Sequence, residues 1–187
     1  IVRSLPPADE IEILRFVDSS KIEQWAPWTT DRIKLLDAVD NLFVEGGQSA
    51  VVDALVMALS EIETRRKRDP VRKFAVLLIS DCEERGSFFN NRQLAERTKA
   101  VGVPFFVVAY PEELRNPQKA EAVRFAYDLT VATGGSAYFP RDKETSKLPI
   151  SESLAELLVE LRAQYLVSYV PTNQVRDGKK RTVKIER

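Results

Sequence analysis

Three short runs of apolar residues stand out along the chain: Phe74 to Ile79, Val103 to Ala109 and Tyr165 to Val170. Each is rich in β-branched or aromatic residues and none alternates with polar positions, the pattern of strands buried on both faces of a sheet. Between them the period changes. Val51, Leu55, Ala58 and Ile62 fall on one helical face, and Leu154, Leu157, Leu158 and Leu161 on another. Strands alternating with helices predict right-handed βαβ units, so the fold class is α/β, a mainly parallel sheet with helices on both sides.

The ends of the chain break this rhythm. Glu10 to Val17 mixes charged and apolar residues, and Lys21 to Trp25 follows after the turn Asp18-Ser19-Ser20, which reads as an antiparallel hairpin at one sheet edge. Gln164 to Pro171 and Arg181 to Glu186, separated by a loop with Asp177-Gly178, predict a C-terminal β-hairpin. Helix stops are marked by Gly46-Gly47 after the segment Asp31 to Phe43, by Pro70 after one ending near Arg68, and by Gly102 after one starting at Gln93. No repeat, low-complexity tract or linker divides the chain. Residues 1–163 are read as one domain and residues 164–187 as a strand pair that continues it.

Composition narrows the chemistry. Lysine and arginine total 28, as do aspartate and glutamate, so the net charge is zero and the overall field favours neither nucleic acid nor an anionic membrane. No apolar run reaches the ~20 residues of a membrane span, and Ile1 to Leu5 is too short for a signal sequence. A chain that starts at isoleucine is expected to continue upstream. The single Cys82 makes no internal disulfide and reports no compartment. Histidine is absent, which excludes Ser-His-Asp and Cys-His catalysis and most zinc sites. Neither GxGxxG nor GxxxxGK[ST] follows any strand, so the usual cradles for dinucleotide or NTP phosphates are missing too.

Oxygen chemistry at strand ends remains. In an open parallel sheet ligands gather outside the carboxyl ends of the strands. Ser80-Asp81 follows Phe74 to Ile79 directly, and Ser49 stands at the start of the helix from Ala50, where its hydroxyl can face the same rim. A hard cation such as Mg²⁺ suits that sparse donor set. The plainer readings are that Ser49 caps its helix and Asp81 closes a turn. Glu83-Glu84 either adds carboxylates beside Asp81 or is an ordinary polar loop. Arg65-Arg66-Lys67-Arg68 is either an anion patch or the cationic last turn of a helix. Trp25 and Trp28 either form an exposed contact or close the hairpin over the core.

The stretch Gly46-Gly47-Gln48-Ser49-Ala50-Val51-Val52-Asp53-Ala54 resembles the Gly-Gly-Thr-x-x-x-Asp-Ala element of von Willebrand factor A domains, with Ser49 where the metal-binding threonine stands. Phe74 to Asp81 resembles that family's apolar strand ending in Ser-Asp-Gly, with Cys82 in place of the glycine. The likeness continues through Ala100 to Val108, Ala132 to Phe139 and Leu161 to Tyr169; with Pro171 and Asp177 to Arg181 it is most similar to the bacterial, acidobacterial VWFA-related group. No Asp-x-Ser-x-Ser occurs, and Ile1 to Leu5 matches the end of the helix that follows the family's first, central strand.

That resemblance implies a Rossmann-like, doubly wound fold lacking its first strand, and a Mg²⁺ on the rim held by Ser49 and Asp81, with most ligands upstream. It implies a non-catalytic binding domain whose metal takes a carboxylate from a partner protein, in an extracytoplasmic or secreted setting, with no nucleic acid partner. Two alternatives stay open: a Mg²⁺-dependent phosphoryl-transfer or hydrolytic enzyme using Asp81, and a metal-free structural interaction module. Against the enzyme, no basic phosphate clamp is found, and Tyr110-Pro111-Glu112-Glu113 is acidic where one would be expected.

Overall fold

The computed structural model describes residues 1–140 and 150–163. An antiparallel hairpin comes first, β1 (Ile11–Asp18) and β2 (Lys21–Thr29), and its register closes with Asp18 opposite Lys21. The turn is made by Asp18, whose carboxylate accepts from the Ser20 amide at 2.9 Å and the Ser20 hydroxyl at 2.7 Å. This matches the hairpin expected from the sequence.

Helix α1 (Arg32–Asp40) starts where Asp31 accepts from the Ile33 and Lys34 amides, a side-chain cap for the free first-turn donors. It ends at Asn41, short of the expected Phe43 and well before Gly46-Gly47. Only Leu35 of this helix is buried and Ile33 is 81% exposed, so little packing favours a further turn. The following residues are held in another way, by ion pairs of Glu45 described below.

Helix α2 (Val51–Arg68) buries Val51, Leu55 and Ile62 of the face foreseen from its spacing, while Ala58 is half-buried and the neighbouring Leu59 takes the buried place. It leads into β3 (Val76–Ser80), α3 (Asn91–Val101), β4 (Phe105–Ala109), a single 3₁₀ turn at Pro111–Glu113, α4 (Gln118–Thr133), β5 (Ala137–Tyr138) and α5 (Ile150–Arg162). β3, β4 and β5 pair in parallel in that order, with Val76 opposite Phe105 and Val107 opposite Ala137. β4 lies between the other two and is buried at all five positions, as a central parallel strand must be. β3 starts two residues after the expected Phe74, because pairing begins where the Val76 amide donates to the Pro104 carbonyl.

Helices cover both faces of this sheet. On one side Val52, Leu55 and Leu59 of α2, Leu94 of α3 and Ala126 of α4 pack with Val76, Leu78, Phe105 and Val107. On the other, Leu157 of α5 packs with Phe106, Val108 and Tyr138, flanked by Leu77 and Leu154. Each fully buried Leu or Phe contributes about 1.5–3 kcal/mol, so these two layers dominate the stability. The arrangement is the α/β, doubly wound, Rossmann-like class expected. The hairpin joins through Phe16 and Trp28, which pack against the first layer, while its strands share no hydrogen-bonded ladder with β3–β5 among the described residues.

The expected strand Tyr165 to Val170 and the C-terminal hairpin of residues 164–187 lie outside the described residues.

Candidate functional site

Three loops converge at the carboxyl ends of β1 and β3. From the β1–β2 turn, the Ser19 hydroxyl donates to the Gly86 carbonyl. From the segment before α2, the Ser49 carbonyl accepts from the Arg85 amide at 2.8 Å and the Gly86 amide at 3.2 Å. The loop after β3 thus meets both of the others, and Ser49 and Asp81 lie on neighbouring loops of one rim.

The segment carrying Ser49 is fixed from its other end. Glu45 takes the Lys21 ammonium on both oxygens at 2.7 Å and the Arg15 guanidinium at 2.7 Å. Lys21 first and Arg15 second hold the Glu45 carboxyl below the usual carboxylate range. Arg15 also pairs with Glu23 at 2.9 Å, and its guanidinium lies 4.2 Å from the centre of the Phe43 ring. Gly47 follows, so close to β1 that a Cβ there would sit 2.5 Å from Val17 Cγ1. The second glycine of the pair is therefore needed for close approach to β1.

Ser49 does not cap α2. The N-cap position falls on Ala50 and receives no side-chain bond. The free amides are served across the rim: Val52 donates to Glu84 Oε2 at 2.9 Å and Asp53 to the Ser87 hydroxyl at 3.1 Å. Glu84 also accepts from the Gly86 and Ser87 amides at 3.1 and 2.8 Å and from the Ser87 hydroxyl at 2.8 Å. A carboxylate at a helix N-terminus is favoured by the helix dipole as well as by these bonds. In return Asp53, 6% exposed, reaches from α2 into the loop and accepts from the Phe88 and Phe89 amides, both at 2.9 Å. These reciprocal staples were not foreseen in the sequence, although Asp53 stands in the Gly-Gly element at its conspicuous aspartate.

Asp81 is the first residue beyond β3. Its Oδ1 accepts from the Glu83 amide at 3.0 Å and the Ser80 hydroxyl at 3.3 Å, so the turn-forming role holds for one of its two oxygens. Cys82 then adopts φ +61°, a left-handed conformation in which glycine is the easier residue. Burial, aided by the Asp81 charge, pushes the Cys82 thiol up to about 12. Glu83 pairs with Arg85 at 2.5 Å and Glu84 serves α2, so both glutamates have duties in the loop's own structure.

Ser49 and Asp81 bring two oxygen donors of the kind a hard cation takes. That is chemically right for Mg²⁺ and short in number: among the described residues no group of three or more His, Cys, Asp or Glu could hold a metal ion. A metal ion bound there would need its other ligands from elsewhere.

The remaining candidates resolve into structure. Arg65 pairs with Glu10, and Arg66 donates to the Val101 carbonyl at 2.6 Å while lying over Phe74. The basic run is thus partly spent on fastening α2. Trp28 packs edge-on against Phe74 at 5.9 Å, and Trp25 donates from its indole to the Ala38 carbonyl at 2.8 Å. Trp28 thus closes the hairpin over the core, while Trp25 ties it to α1. Among the described residues no helix is long and apolar enough to cross a membrane.

No protein-family model and no curated protein matches the chain. Among solved structures, an aerotolerance-related membrane protein from Bacteroides fragilis NCTC 9343, crystallised with multiple mutations to serines, is similar at 15% identity over 85% of this chain and 83% of its own, with a TM-score of 0.60. An uncharacterized membrane-spanning protein from Vibrio fischeri aligns at 16% identity over 83% of this chain and 75% of its own, with a TM-score of 0.31, too low to carry a shared fold. The Bacteroides likeness therefore establishes one thing about this chain, its α/β, Rossmann-like fold.

Proposed function

We propose that the chain is a von Willebrand factor A-type domain that binds a partner protein at this rim without catalysing a reaction, and that a Mg²⁺ ion there mediates the contact. The observation that carries the reading is the meeting of two loops: the Ser49 carbonyl holds the Arg85 and Gly86 amides, which sets a hydroxyl and a carboxylate on adjoining segments at the carboxyl end of β3. Ser49 Oγ is relieved of capping by Glu84 and Ser87, and among the described residues Asp81 forms its turn through Oδ1. These two groups would hold the ion, Ser49 through its hydroxyl and Asp81 directly or through water. When bound, Mg²⁺ supplies a positive charge that receives a carboxylate from the partner.

The divided sheet agrees with this reading. Among the described residues β1 and β3 share no ladder, and the resemblance puts between them a first strand ending in Asp-x-Ser-x-Ser, which would bring further ligands to the same rim. An extracytoplasmic or secreted setting belongs to the same reading.

The experiment is partner binding by the full-length protein with Mg²⁺, with a chelator, and as Asp81→Ala. Binding that is lost in the last two conditions supports the metal-dependent form. Binding indifferent to the chelator removes the metal and leaves a second reading, a metal-free interaction module. The observation behind that second reading is the small number of acidic donors among the described residues at the rim.

A further inference from the structure

The end of the molecule away from the rim is cationic. Helix α2 starts beside Ser49 and runs for 18 residues, about 27 Å, so its last turn stands at the far side of the fold. From that turn towards β3, the segment Arg65 to Lys73 carries six cations and a single acid, Asp69. Arg72 holds Asp69 at 2.9 Å, and Glu10 comes in from the start of β1 to pair with both Arg65 and Arg72. Six cations against these two carboxylates leave four charges in excess. The C-terminus of a helix offsets only about half a charge, so its dipole does not account for the run.

The excess faces water. Lys67 and Arg68 are exposed, and so is Lys99 in the last turn of α3. The two helix ends adjoin, since Arg66 and Lys67 line one cleft with Ala100 and Val101. Beside these cations, directly after Pro70 in the turn that leaves α2, Val71 is 89% exposed. An apolar side chain held out among cations suits an anionic bilayer, where the charges meet the headgroups and the apolar group enters the interface. The other exposed apolar stretch, Ile33 with Leu42 to Val44, is interspersed with Asp37 and Asp40 and lacks that complementarity.

We propose that this basic end docks the domain on the surface of an anionic phospholipid bilayer, with Lys67, Arg68 and Lys99 at the headgroups and Val71 in the interface. The contact is peripheral, and it does not depend on any reading of Ser49 and Asp81. It leaves the rim facing solvent at the other end of α2, about 27 Å away. A nucleic acid would meet the same cations and has no use for Val71, which separates the two ligands.

The test sediments the full chain with phosphatidylcholine–phosphatidylglycerol vesicles and with vesicles of phosphatidylcholine alone. Binding is expected to the mixed vesicles only, weakening as salt is raised. Each cation near such a surface strengthens binding about fivefold, so Lys67→Gln with Arg68→Gln is expected to weaken it about tenfold or more. Val71→Ser is expected to weaken it about threefold or more. Arg92→Gln with Arg115→Gln makes the same change of charge at exposed positions, in the first turn of α3 and after the 3₁₀ turn that follows β4. That control is expected to stay within about twofold. The proposal is overturned by no sedimentation with the mixed vesicles, by equal sedimentation with both kinds, or by equal loss in the two double variants. Unchanged binding of Val71→Ser overturns it as well, and a DNA duplex that then competes with the vesicles identifies a nucleic-acid surface instead.

Discussion

At the scale of single residues, the rim is built from side chains whose neighbours explain their state. Cys82 is 2% exposed and its thiol is pushed up to about 12, so it stays protonated and shielded at neutral pH. A disulfide reagent such as DTNB is expected to leave the native protein unmodified at pH 8 and to react fully once denaturant unfolds it; rapid modification of the native chain would contradict the burial. The same shift has a sign in stability. The unfolded thiol loses its proton near its ordinary value, the folded one near 12, so between those values the folded state binds more protons and this residue's contribution falls as pH rises, by up to about 1.4 kcal/mol per pH unit. Denaturant midpoints of wild type and Cys82→Ala measured from pH 8 to 11 check this: the wild type is expected to lose stability more steeply. Sequence alone exposed Ser49 and Asp81 as candidates through their position at element ends. It left Asp53 and Glu84 unrecognised as staples, because each works on backbone amides more than thirty residues away, a distance at which no local pattern exists.

At the scale of elements, the helices and strands with strong periodicity were legible. α2 and β4 stand close to where their spacing puts them, and α3 stops at Gly102 in the left-handed conformation expected of a helix-ending glycine. Helix α4 was not delineated, although Ala122, Ala126, Leu129 and Thr130 form its buried stripe. Small alanines and a threonine give a weak hydrophobic signal even when they face a core. Two variants test how the elements are locked together. Asp53→Ala removes a buried acceptor from the Phe88 and Phe89 amides and is expected to cost about 2–3 kcal/mol in a denaturant titration. A change below a few tenths would mean that the staple contributes nothing. Gly135→Ala would place a Cβ 1.9 Å from the Phe105 carbonyl oxygen, where β5 meets β4. Backbone has to move, and a loss of about 3 kcal/mol or more is expected. Gly134→Ala, strained only by its φ of +80°, is expected to lose about 1–2 kcal/mol, which separates steric conflict from backbone conformation.

At the scale of the whole molecule, alternation of strand and helix foretold the α/β class and the sheet with helices on both faces; the hairpin, expected at one edge of that sheet, instead forms a two-stranded sheet of its own among the described residues. What it could not foretell is how the rim closes. That closure depends on Glu45 bound to Arg15 and Lys21, on Gly47 against Val17 and on Ser49 against Arg85 and Gly86, contacts between segments separated in sequence by the whole of a helix or a hairpin. The central claim is that these contacts assemble a cation-binding rim at Ser49 and Asp81. Its most direct measurement is a Mn²⁺ titration of the isotopically labelled protein, read as paramagnetic broadening of assigned amide signals. The account predicts selective broadening at Ser49, Asp81 and the adjoining Arg85 and Gly86, relieved by excess Mg²⁺ and absent in Asp81→Ala. Broadening that is absent, that centres on another part of the surface, or that persists in Asp81→Ala would contradict it.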